Sequence, residues 1–253
     1  MYPICFYIGN HPIHWYGVMM AAAFLAAITH WRFLGRKEGR DAAFCTDLAF
    51  WIMIGGILGA RVAYVLANWG YYRASPGQIL RIDQGGLVYY GGFFAAVGVI
   101  WILARQRREP LLSLLDFVAT ALPLGHAIGR IGCFLNGCCY GSPSRLPWAV
   151  VQPYVDSVPR HPVQLYETGA NLAIYLILLQ AYARKERHGR VTALYLLVYP
   201  ACRFMLEFFR GDGRLRWDGL TAAQWSSIAI LASGAALWLL TGRRSGSVHS
   251  QRG

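Results

Sequence analysis

Long apolar runs separated by short polar gaps dominate the hydropathy pattern of this chain. A helix needs about 20 apolar residues to cross a bilayer, and several runs reach or approach that length. The pattern therefore predicts an all-α, polytopic membrane protein with about seven transmembrane helices. The predicted spans lie at roughly 14–34, 47–67, 87–104, 114–135, 163–183, 192–209 and 224–241.

The composition supports this prediction. Of the 253 residues, 56% are hydrophobic and 14% are charged, whereas a soluble domain carries about 25% charged residues. The net charge of +12 raises the question of a nucleic-acid partner. Because the basic residues occupy short gaps between apolar runs rather than one contiguous face, we predict no nucleic-acid partner.

The basic gaps also predict the orientation of the chain. Under the positive-inside rule, the gaps that are richer in Arg and Lys face the cytoplasm, which places the N-terminus outside and the C-terminus inside. We predict one transmembrane domain over 1–242, with an extracytoplasmic loop region around 142–162 and a disordered polar tail over 243–253. The richer gaps contain Arg36, Lys37 and Arg40, then Arg105, Arg107 and Arg108, then Arg184, Lys185, Arg187 and Arg190, and finally Arg243 and Arg244.

Arg130 is a permanent charge inside an otherwise apolar span. An arginine near the bilayer centre costs about 2.5 to 3.5 kcal/mol, so it requires a partner. No acid stands three or four residues away on the same helix, so the partner must come from another helix, from solvent or from a ligand. A phosphate suits a guanidinium that cannot lose its proton. A structural ion pair with Glu167 or Glu207 remains the alternative.

Other intramembrane polar residues are predicted to lie at the level of Arg130, in the outer half of the membrane. Arg130 stands 14 residues after Asp116, which corresponds to about 21 Å along a helix. Separate spans thus bring polar groups together, as a site that opens to the outer surface requires. The residues at this level are Tyr16, Arg61, Tyr90, Arg130, Glu167, Arg203, Glu207 and Arg210.

The cysteines and the glycine clusters are assigned structural roles. The chain contains no CxxC pair, and its cysteine spacing does not match a zinc or haem site, so we predict small apolar packing roles for most thiols. A redox enzyme using Cys138 and Cys139 is disfavoured because neighbouring cysteines form strained bridges. The glycines within 55–59 and at 91–92 are predicted to allow close helix packing.

Five motifs follow one another in order between about 14 and 210. They are His14-Trp15-Tyr16-Gly17; Gly85-Gly86-Leu87-Val88-Tyr89-Tyr90-Gly91-Gly92; Gly129-Arg130-Ile131-Gly132 followed by Asn136-Gly137 and Gly141; Arg160-His161-Pro162-Val163-Gln164-Leu165-Tyr166-Glu167; and Arg203-Phe204-Met205-Leu206-Glu207-Phe208-Phe209-Arg210. Together they resemble the signature of the prolipoprotein diacylglyceryl transferase family.

The resemblance implies a multi-pass enzyme of the bacterial inner membrane with its active site toward the outer leaflet. Such an enzyme transfers diacylglyceryl from phosphatidylglycerol to the thiol of the lipobox cysteine of a preprolipoprotein and releases glycerol phosphate. This is the first step of bacterial lipoprotein maturation. The implied partners are the donor lipid, the lipobox segment and the surrounding membrane lipid, and no metal or other cofactor is implied.

Site residues follow from the motif positions and from the predicted level in the membrane. Tyr90, Cys133 and Cys138 depart from a histidine, an asparagine and an acid that are frequent in the family, which leaves the general base open and the phosphate-binding arginines intact. The predicted catalytic residues are Arg130, Arg203, Glu207 and Tyr90, and the predicted substrate-binding residues are Arg130, Tyr16, Asn136, Gly141, Arg61, His161, Gln164, Glu167 and Arg210.

A transporter or a lipid-binding protein that holds an anionic headgroup is the alternative function. It would use the same outward-facing cationic cavity. Transporters commonly contain broken helices at corresponding places in two halves, and the sequence shows no such pairing.

The predicted orientation is tested with topology reporters. A reporter fused after Arg244 is expected to be cytoplasmic, and one inserted in the 142–160 loop is expected to be extracytoplasmic, because the basic gaps define the inner side. The reverse location at both positions would refute the orientation.

Overall fold

The computed structural model describes residues 3–82, 85–153 and 155–242. This part of the chain is mostly helical, with 3-10 turns at Pro76–Leu80 and Glu207–Phe209 and three short antiparallel strand pairs. The helices are α1 (Trp15–Lys37), α2 (Ala42–Ala67), α3 (Trp69–Ala74), α4 (Tyr89–Gln106), α5 (Leu111–Ala119), α6 (Leu122–Asn136), α7 (Val163–Ala183), α8 (Arg190–Leu206) and α9 (Ala222–Gly242). The paired strands are β1 (Ile4–Ile8) with β2 (His11–His14), β3 (Val150–Val151) with β4 (Pro159–Arg160), and β5 (Arg216–Trp217) with β6 (Leu220–Thr221).

The helices confirm the predicted all-α membrane class. Each predicted span overlaps a helix, and within the described residues five helical segments are long and apolar enough to cross a membrane. The helix α7 is not among them because the buried polar residues Gln164, Glu167 and Asn171 lower its mean hydropathy. The five segments are Trp15–Lys37, Ala42–Ala67, Leu111–Asn136, Arg190–Phe209 and Ala222–Gly242. The count of seven spans remains a prediction.

The predicted span 114–135 falls within one of these segments, Leu111–Asn136, and a two-residue turn divides it into two helices. The helix α5 ends at Ala119 and α6 begins at Leu122. Pro123 lies in the first turn of α6 and has no N–H with which to continue the preceding helix. The Thr120 hydroxyl donates to the Phe117 carbonyl at 2.7 Å. The distance of about 21 Å from Asp116 to Arg130 assumes an uninterrupted helix, and the turn at residues 120–121 departs from that assumption.

The contacts group the chain into two compact units. One unit combines Met1–Thr29 with Leu115–Gly253, and the other is His30–Leu114. The boundaries fall within α1 and α5. The predicted single domain over 1–242 and the extracytoplasmic loop region around 142–162 remain predictions, although that loop does contain the pair β3–β4. The predicted tail 243–253 lies outside the described residues.

In the unit His30–Leu114, glycines allow α2 and α4 to pack backbone to backbone. A Cβ atom on Gly59 would lie 2.6 Å from the Gly91 carbonyl oxygen, and one on Gly91 would lie 2.5 Å from the Gly59 carbonyl oxygen. Gly55 meets Val99 in the same interface. The packing role predicted for these glycine clusters is confirmed.

In the other unit, a buried acid on α5 caps the start of α8. The Asp116 carboxylate accepts hydrogen bonds from the Gly189 N–H at 2.7 Å and the Thr192 N–H at 2.8 Å, and from the Thr192 hydroxyl at 2.8 Å. A carboxylate at a helix N-terminus satisfies orphan donors and complements the helix dipole. The cap fixes α8, the helix that carries Arg203.

The glycine contact between α2 and α4 generates a stability prediction. Gly59→Ala places a methyl group against the Gly91 backbone and is expected to destabilise the protein by about 1 to 3 kcal/mol, the usual cost of overpacking. Gly98→Ala, on α4 with no atom within 4 Å of the added Cβ, is the matched control and is expected to be neutral or slightly stabilising. Thermal unfolding in detergent measures both; equal melting temperatures would contradict the packing role.

Candidate active site

Glu167 on α7 is the buried carboxylate at which arginines from different segments meet. Only 2% of its side chain is exposed. The Arg130 guanidinium of α6 pairs with it through Nε. Arg203 Nη1 lies 3.7 Å and Arg210 Nη1 lies 3.6 Å from the other carboxylate oxygen. The structure therefore identifies the partner of Arg130 as an acid on another helix.

A second buried carboxylate, Glu207, extends the cluster. Its Oε2 lies 2.6 Å from Arg203 Nη1, its Oε1 lies 3.3 Å from Arg214 Nη1, and the Thr221 hydroxyl donates to the same Oε1 at 2.8 Å. Arg203 and Glu207, four residues apart, thus form a direct ion pair. Glu207 is held by three side chains, which suits a residue that positions Arg203.

The cluster carries an excess of positive charge. Arg210 forms a two-point contact with Asp212, at 2.9 Å from Nε and 2.5 Å from Nη2. Four guanidinium groups therefore meet three carboxylates, which leaves one net positive charge. Arg214 and Asp212 are about one-third exposed, but the other five groups are largely withdrawn from water and also carry one net positive charge. That charge attracts an anion more strongly than a solvated arginine does. The four cations are Arg130, Arg203, Arg210 and Arg214, and the three anions are Glu167, Glu207 and Asp212.

Arg130 retains donors for a ligand although it is ion-paired. Its Nε faces Glu167, and its Nη1 lies 3.8 Å from the Cys133 sulfur. Among the described residues, none accepts a hydrogen bond from its Nη2. The side chain is 12% exposed, so the Nη2 amino group is where an anionic oxygen can bind.

The loop after α6 is fastened to α7 and to the segment after α8. Gln164, fully buried, donates from Nε2 to the Cys138 carbonyl at 2.8 Å. The Ser142 N–H donates to the Phe209 carbonyl at 2.8 Å, and the Gly211 N–H donates to the Tyr140 carbonyl at 3.1 Å. Gln164 therefore shapes the loop that borders the cluster.

Gly141 lies where these backbones cross. A Cβ atom there would stand 2.7 Å from both the His161 Cβ and a Val163 methyl, and one on Gly211 would stand 2.5 Å from the Gly141 carbonyl carbon. Only glycine permits this approach, which brings Arg210 beside the start of α7. Close packing of the backbones therefore explains why position 141 requires glycine, which the sequence alone did not explain.

A surface ion pair supports the same loop from outside. Arg160 pairs with Asp156 and donates to the Gly141 carbonyl at 3.2 Å. The Arg160 guanidinium, together with the Val158 N–H, lowers the pKa of the Asp156 carboxyl. A depressed carboxyl pKa means that the contact is intact at neutral pH and is lost only as the pH falls through that lowered value.

Tyr16 lies in the first turn of α1, and Asn136 lies at the end of α6. A Cβ atom on Gly132 would lie 3.5 Å from the Tyr16 Cα, so the start of α1 packs directly on α6. The Tyr16 side chain is partly exposed and lies in the electrostatic field of Arg130. Asn136 is the last residue of α6. The predicted substrate contacts of Tyr16 and Asn136 remain predictions.

His161 is placed in an aromatic group. Its ring lies 5.3 Å from the Phe209 ring and 6.0 Å from the Tyr166 ring, and its Nδ1 lies 3.3 Å from the Tyr166 hydroxyl. Trp148 donates to the same hydroxyl at 2.8 Å. These contacts explain His161 as an aromatic packing residue, and its predicted role in substrate binding remains untested.

Arg61 and Tyr90 belong to the unit His30–Leu114. Arg61 directs hydrogen bonds of 2.7 to 3.1 Å at the carbonyls of residues 78, 79, 81, 85 and 86. Since a guanidinium has five N–H groups, these bonds occupy them all and favour a loop-organising role over the predicted substrate contact. Tyr90, on the first turn of α4, is 56% exposed, and its catalytic role remains a prediction.

The structure contains a cluster of three thiols that the spacing of the cysteines in the sequence did not predict. The sulfur atoms of Cys133, Cys138 and Cys139 lie within 4.8 Å of one another, and all six cysteines of the chain are free thiols. The missed signal is Gly137, whose left-handed conformation ends α6 and folds the following residues back onto its last turn.

Comparison with known proteins agrees with the motif-based resemblance. The family described as prolipoprotein diacylglyceryl transferase matches residues 3–240. A protein of Bordetella avium (strain 197N) named phosphatidylglycerol–prolipoprotein diacylglyceryl transferase is 37% identical over 253 residues, covering 96% of each chain.

Two further relatives carry the same name. One from Legionella pneumophila (strain Corby) is 38% identical over 244 residues, covering 93% of this chain and 95% of the relative. One from Methylobacillus flagellatus is 38% identical over 249 residues, covering 94% of this chain and 95% of the relative. The matched region includes every residue of the arginine–carboxylate cluster. The chain therefore belongs to the prolipoprotein diacylglyceryl transferase family.

Proposed function

We propose that this chain transfers the diacylglyceryl group of phosphatidylglycerol to the thiol of the lipobox cysteine of preprolipoproteins. This is the first step of lipoprotein maturation. The observation that supports it most directly is the buried, net-positive guanidinium cluster built on the family's own motifs. The alternative of a non-enzymatic transporter or lipid-binding protein is not favoured, because the relatives are named as transferases over the whole matched length.

The reaction increases the negative charge on the donor's phosphate. The acceptor sulfur, having lost its proton, attacks the glyceryl carbon bonded to the phosphate oxygen. The carbon–oxygen bond breaks, its electron pair remains on that oxygen, and glycerol phosphate leaves. A phosphodiester with one negative charge thus becomes a more highly charged phosphomonoester. Cations fixed beside that phosphate stabilise the transition state more than the ground state.

In this proposal Arg130 and Arg203 bind the donor phosphate. Arg130 offers the guanidinium edge that Glu167 leaves open, and Arg203 is held between Glu167 and Glu207. A fork of N–H donors suits two phosphate oxygens better than an ammonium does. Glu167, Glu207 and Gln164 act as positioning residues. Tyr90 carries no step in this mechanism.

We further propose the membrane placement that the basic gaps support. The chain is a multi-pass bacterial membrane protein, and its orientation in the inner membrane would place the N-terminus outside and the C-terminus in the cytoplasm. In that orientation α6 and α8 run outward, so Arg130 and Arg203 lie toward the outer leaflet. The cluster would then meet lipid headgroups and acceptor segments at the outer surface.

Direct assay tests the proposed function. The purified protein is incubated with phosphatidylglycerol and a lipobox peptide, and mass spectrometry is used to detect a diacylglyceryl adduct on the peptide's cysteine. We expect the adduct with the cysteine peptide and none with a serine peptide, because the attacking atom is sulfur. No adduct from a folded, membrane-inserted protein would refute the activity.

Substitution of Arg130 separates phosphate binding from structural pairing. Arg130→Gln is expected to lower the transfer rate by about 100- to 1,000-fold, the typical effect of losing one transition-state donor. Arg130→Lys keeps the charge but loses the fork, so we expect a marked loss there as well. Both variants are expected to fold, because Arg203 and Arg210 remain within 3.7 Å of Glu167.

Arg40→Gln is the matched control for this series. Arg40 is also ion-paired to acids, Glu38 and Glu109, and its side chain is 16% exposed, close to the 12% of Arg130. It lies outside the cluster, so transfer by this variant is expected to stay near the unsubstituted level. Ordinary transfer by a folded Arg130→Gln protein would exclude Arg130 from the mechanism.

A further inference from the structure

The three thiols that follow Arg130 form a group with the size of a metal site. The sulfur atoms of Cys133, Cys138 and Cys139 lie within 4.8 Å of one another. Zinc–sulfur bonds of about 2.3 Å place sulfurs around one ion at roughly 3.8 to 4.0 Å from each other. Side-chain rotations that close the group by less than about 1 Å would therefore complete a three-sulfur site.

The backbone brings these thiols together through the way α6 ends. The Cys138 N–H donates to the Cys133 carbonyl and the Gly137 N–H donates to the Phe134 carbonyl, each at 3.2 Å. This pair of bonds is a Schellman cap, in which the residue after the left-handed glycine contacts the residue five positions earlier. The cap thus places Cys138 next to Cys133.

Cys139 joins the group through an uncommon backbone conformation. Its φ of 63° lies in the left-handed region, which costs a residue with a side chain of order 1 kcal/mol or more. The turn returns its sulfur to the other two. Gln164 fixes the loop by its bond to the Cys138 carbonyl.

The donor set and its access fit a soft metal ion. Three converging cysteine sulfurs select soft ions such as Zn²⁺, Cd²⁺ and Cu⁺ over hard ions, and Arg130 Nη1 lies 3.8 Å from the Cys133 sulfur. Cys133 is buried, whereas Cys138 and Cys139 are partly exposed, so an ion can reach the group through these two residues.

We propose that Cys133, Cys138 and Cys139 form a binding site for a soft, thiophilic metal ion, and that its occupancy inhibits the enzyme. Binding of a divalent ion forms three metal–sulfur bonds and releases three protons, with no change of oxidation state. The product is a trithiolate complex with one net negative charge. This anionic complex binds the Arg130 guanidinium and therefore competes with the donor phosphate for it. The inhibition, but not the metal binding, rests on the proposed transferase function.

Cadmium is the probe for the binding step. The full-length protein in detergent, kept reduced with a phosphine, is titrated with Cd²⁺, and thiolate-to-cadmium charge-transfer absorption is recorded. We expect one ion per chain. The variant Cys5→Ala/Cys45→Ala/Cys202→Ala keeps only the cluster and is expected to behave in the same way. The variant Cys133→Ala/Cys138→Ala/Cys139→Ala is expected to lose the absorption. Absorption that persists in this last variant, or that is absent from the unsubstituted chain, would overturn the site.

Single substitutions keep the test decisive if a triple variant does not fold. Cys138→Ser leaves two of the three sulfurs and is expected to weaken Cd²⁺ binding by about 10-fold or more, since even outer-shell changes at metal sites cost that much. Cys202→Ala, a thiol on α8 outside the cluster, is the matched control and is expected to bind Cd²⁺ with unchanged affinity. Equal affinities for the two variants would contradict the site.

Transfer to the lipobox peptide tests the inhibition. Saturating Cd²⁺ is expected to lower the transfer rate by about 10-fold or more through Arg130. Adding a chelator is expected to restore that rate. The transfer rate of the Cys138→Ser variant is expected to be much less affected by Cd²⁺. Cadmium binding without loss of transfer would refute the inhibitory role alone. Cadmium binding by a folded protein with no transfer under any condition would refute the proposed function and leave the metal site intact.

Discussion

The buried carboxylate of Glu167 is the constraint on which the site depends. An ionised acid withdrawn from water costs several kcal/mol unless cations approach it closely. The same holds for each arginine placed within an apolar helix. Glu167 resolves both demands by sharing its two oxygens among Arg130, Arg203 and Arg210. Three segments that are distant in sequence are thereby fixed at one point, and each arginine there is compensated by a carboxylate.

Backbone contacts then determine how closely those segments can approach. Gly141 and Gly211 allow the loop after α6 and the segment after α8 to touch, and Gln164 fastens that loop to α7. Asp116, from α5, fixes the start of the helix that carries Arg203. The buried polar side chains of α7 leave it outside the segments that are apolar enough to cross a membrane, because these residues serve the site.

The sequence predicted the helices better than it predicted the contacts between them. Apolar runs locate every long helix, because burial in lipid depends on composition along the chain. They do not reveal the break before Leu122, since threonine, alanine and proline leave the run apolar. The partner of Arg130 could not be chosen between Glu167 and Glu207, because the facing helix is a tertiary property. Arg61 shows the opposite case: an intramembrane arginine that resembled a ligand-binding residue is saturated by carbonyls of its own loop. The thiol cluster was missed because it depends on a helix cap, and ligand spacing rules do not include caps.

The pairing of Arg130 with an acid does not argue against phosphate binding; it sets the strength of that binding. Three uncompensated guanidinium groups in an apolar helix bundle would be too costly to bury, and they would hold a doubly charged product more tightly than the singly charged donor. A fully neutralised cluster would give no preference for the transition state. Four cations against three carboxylates leave a single positive charge, and it acts in a medium where Coulomb forces are strong. That balance stabilises the growing charge on the phosphate during transfer and still allows glycerol phosphate to leave, so the carboxylates are as much a part of turnover as the arginines.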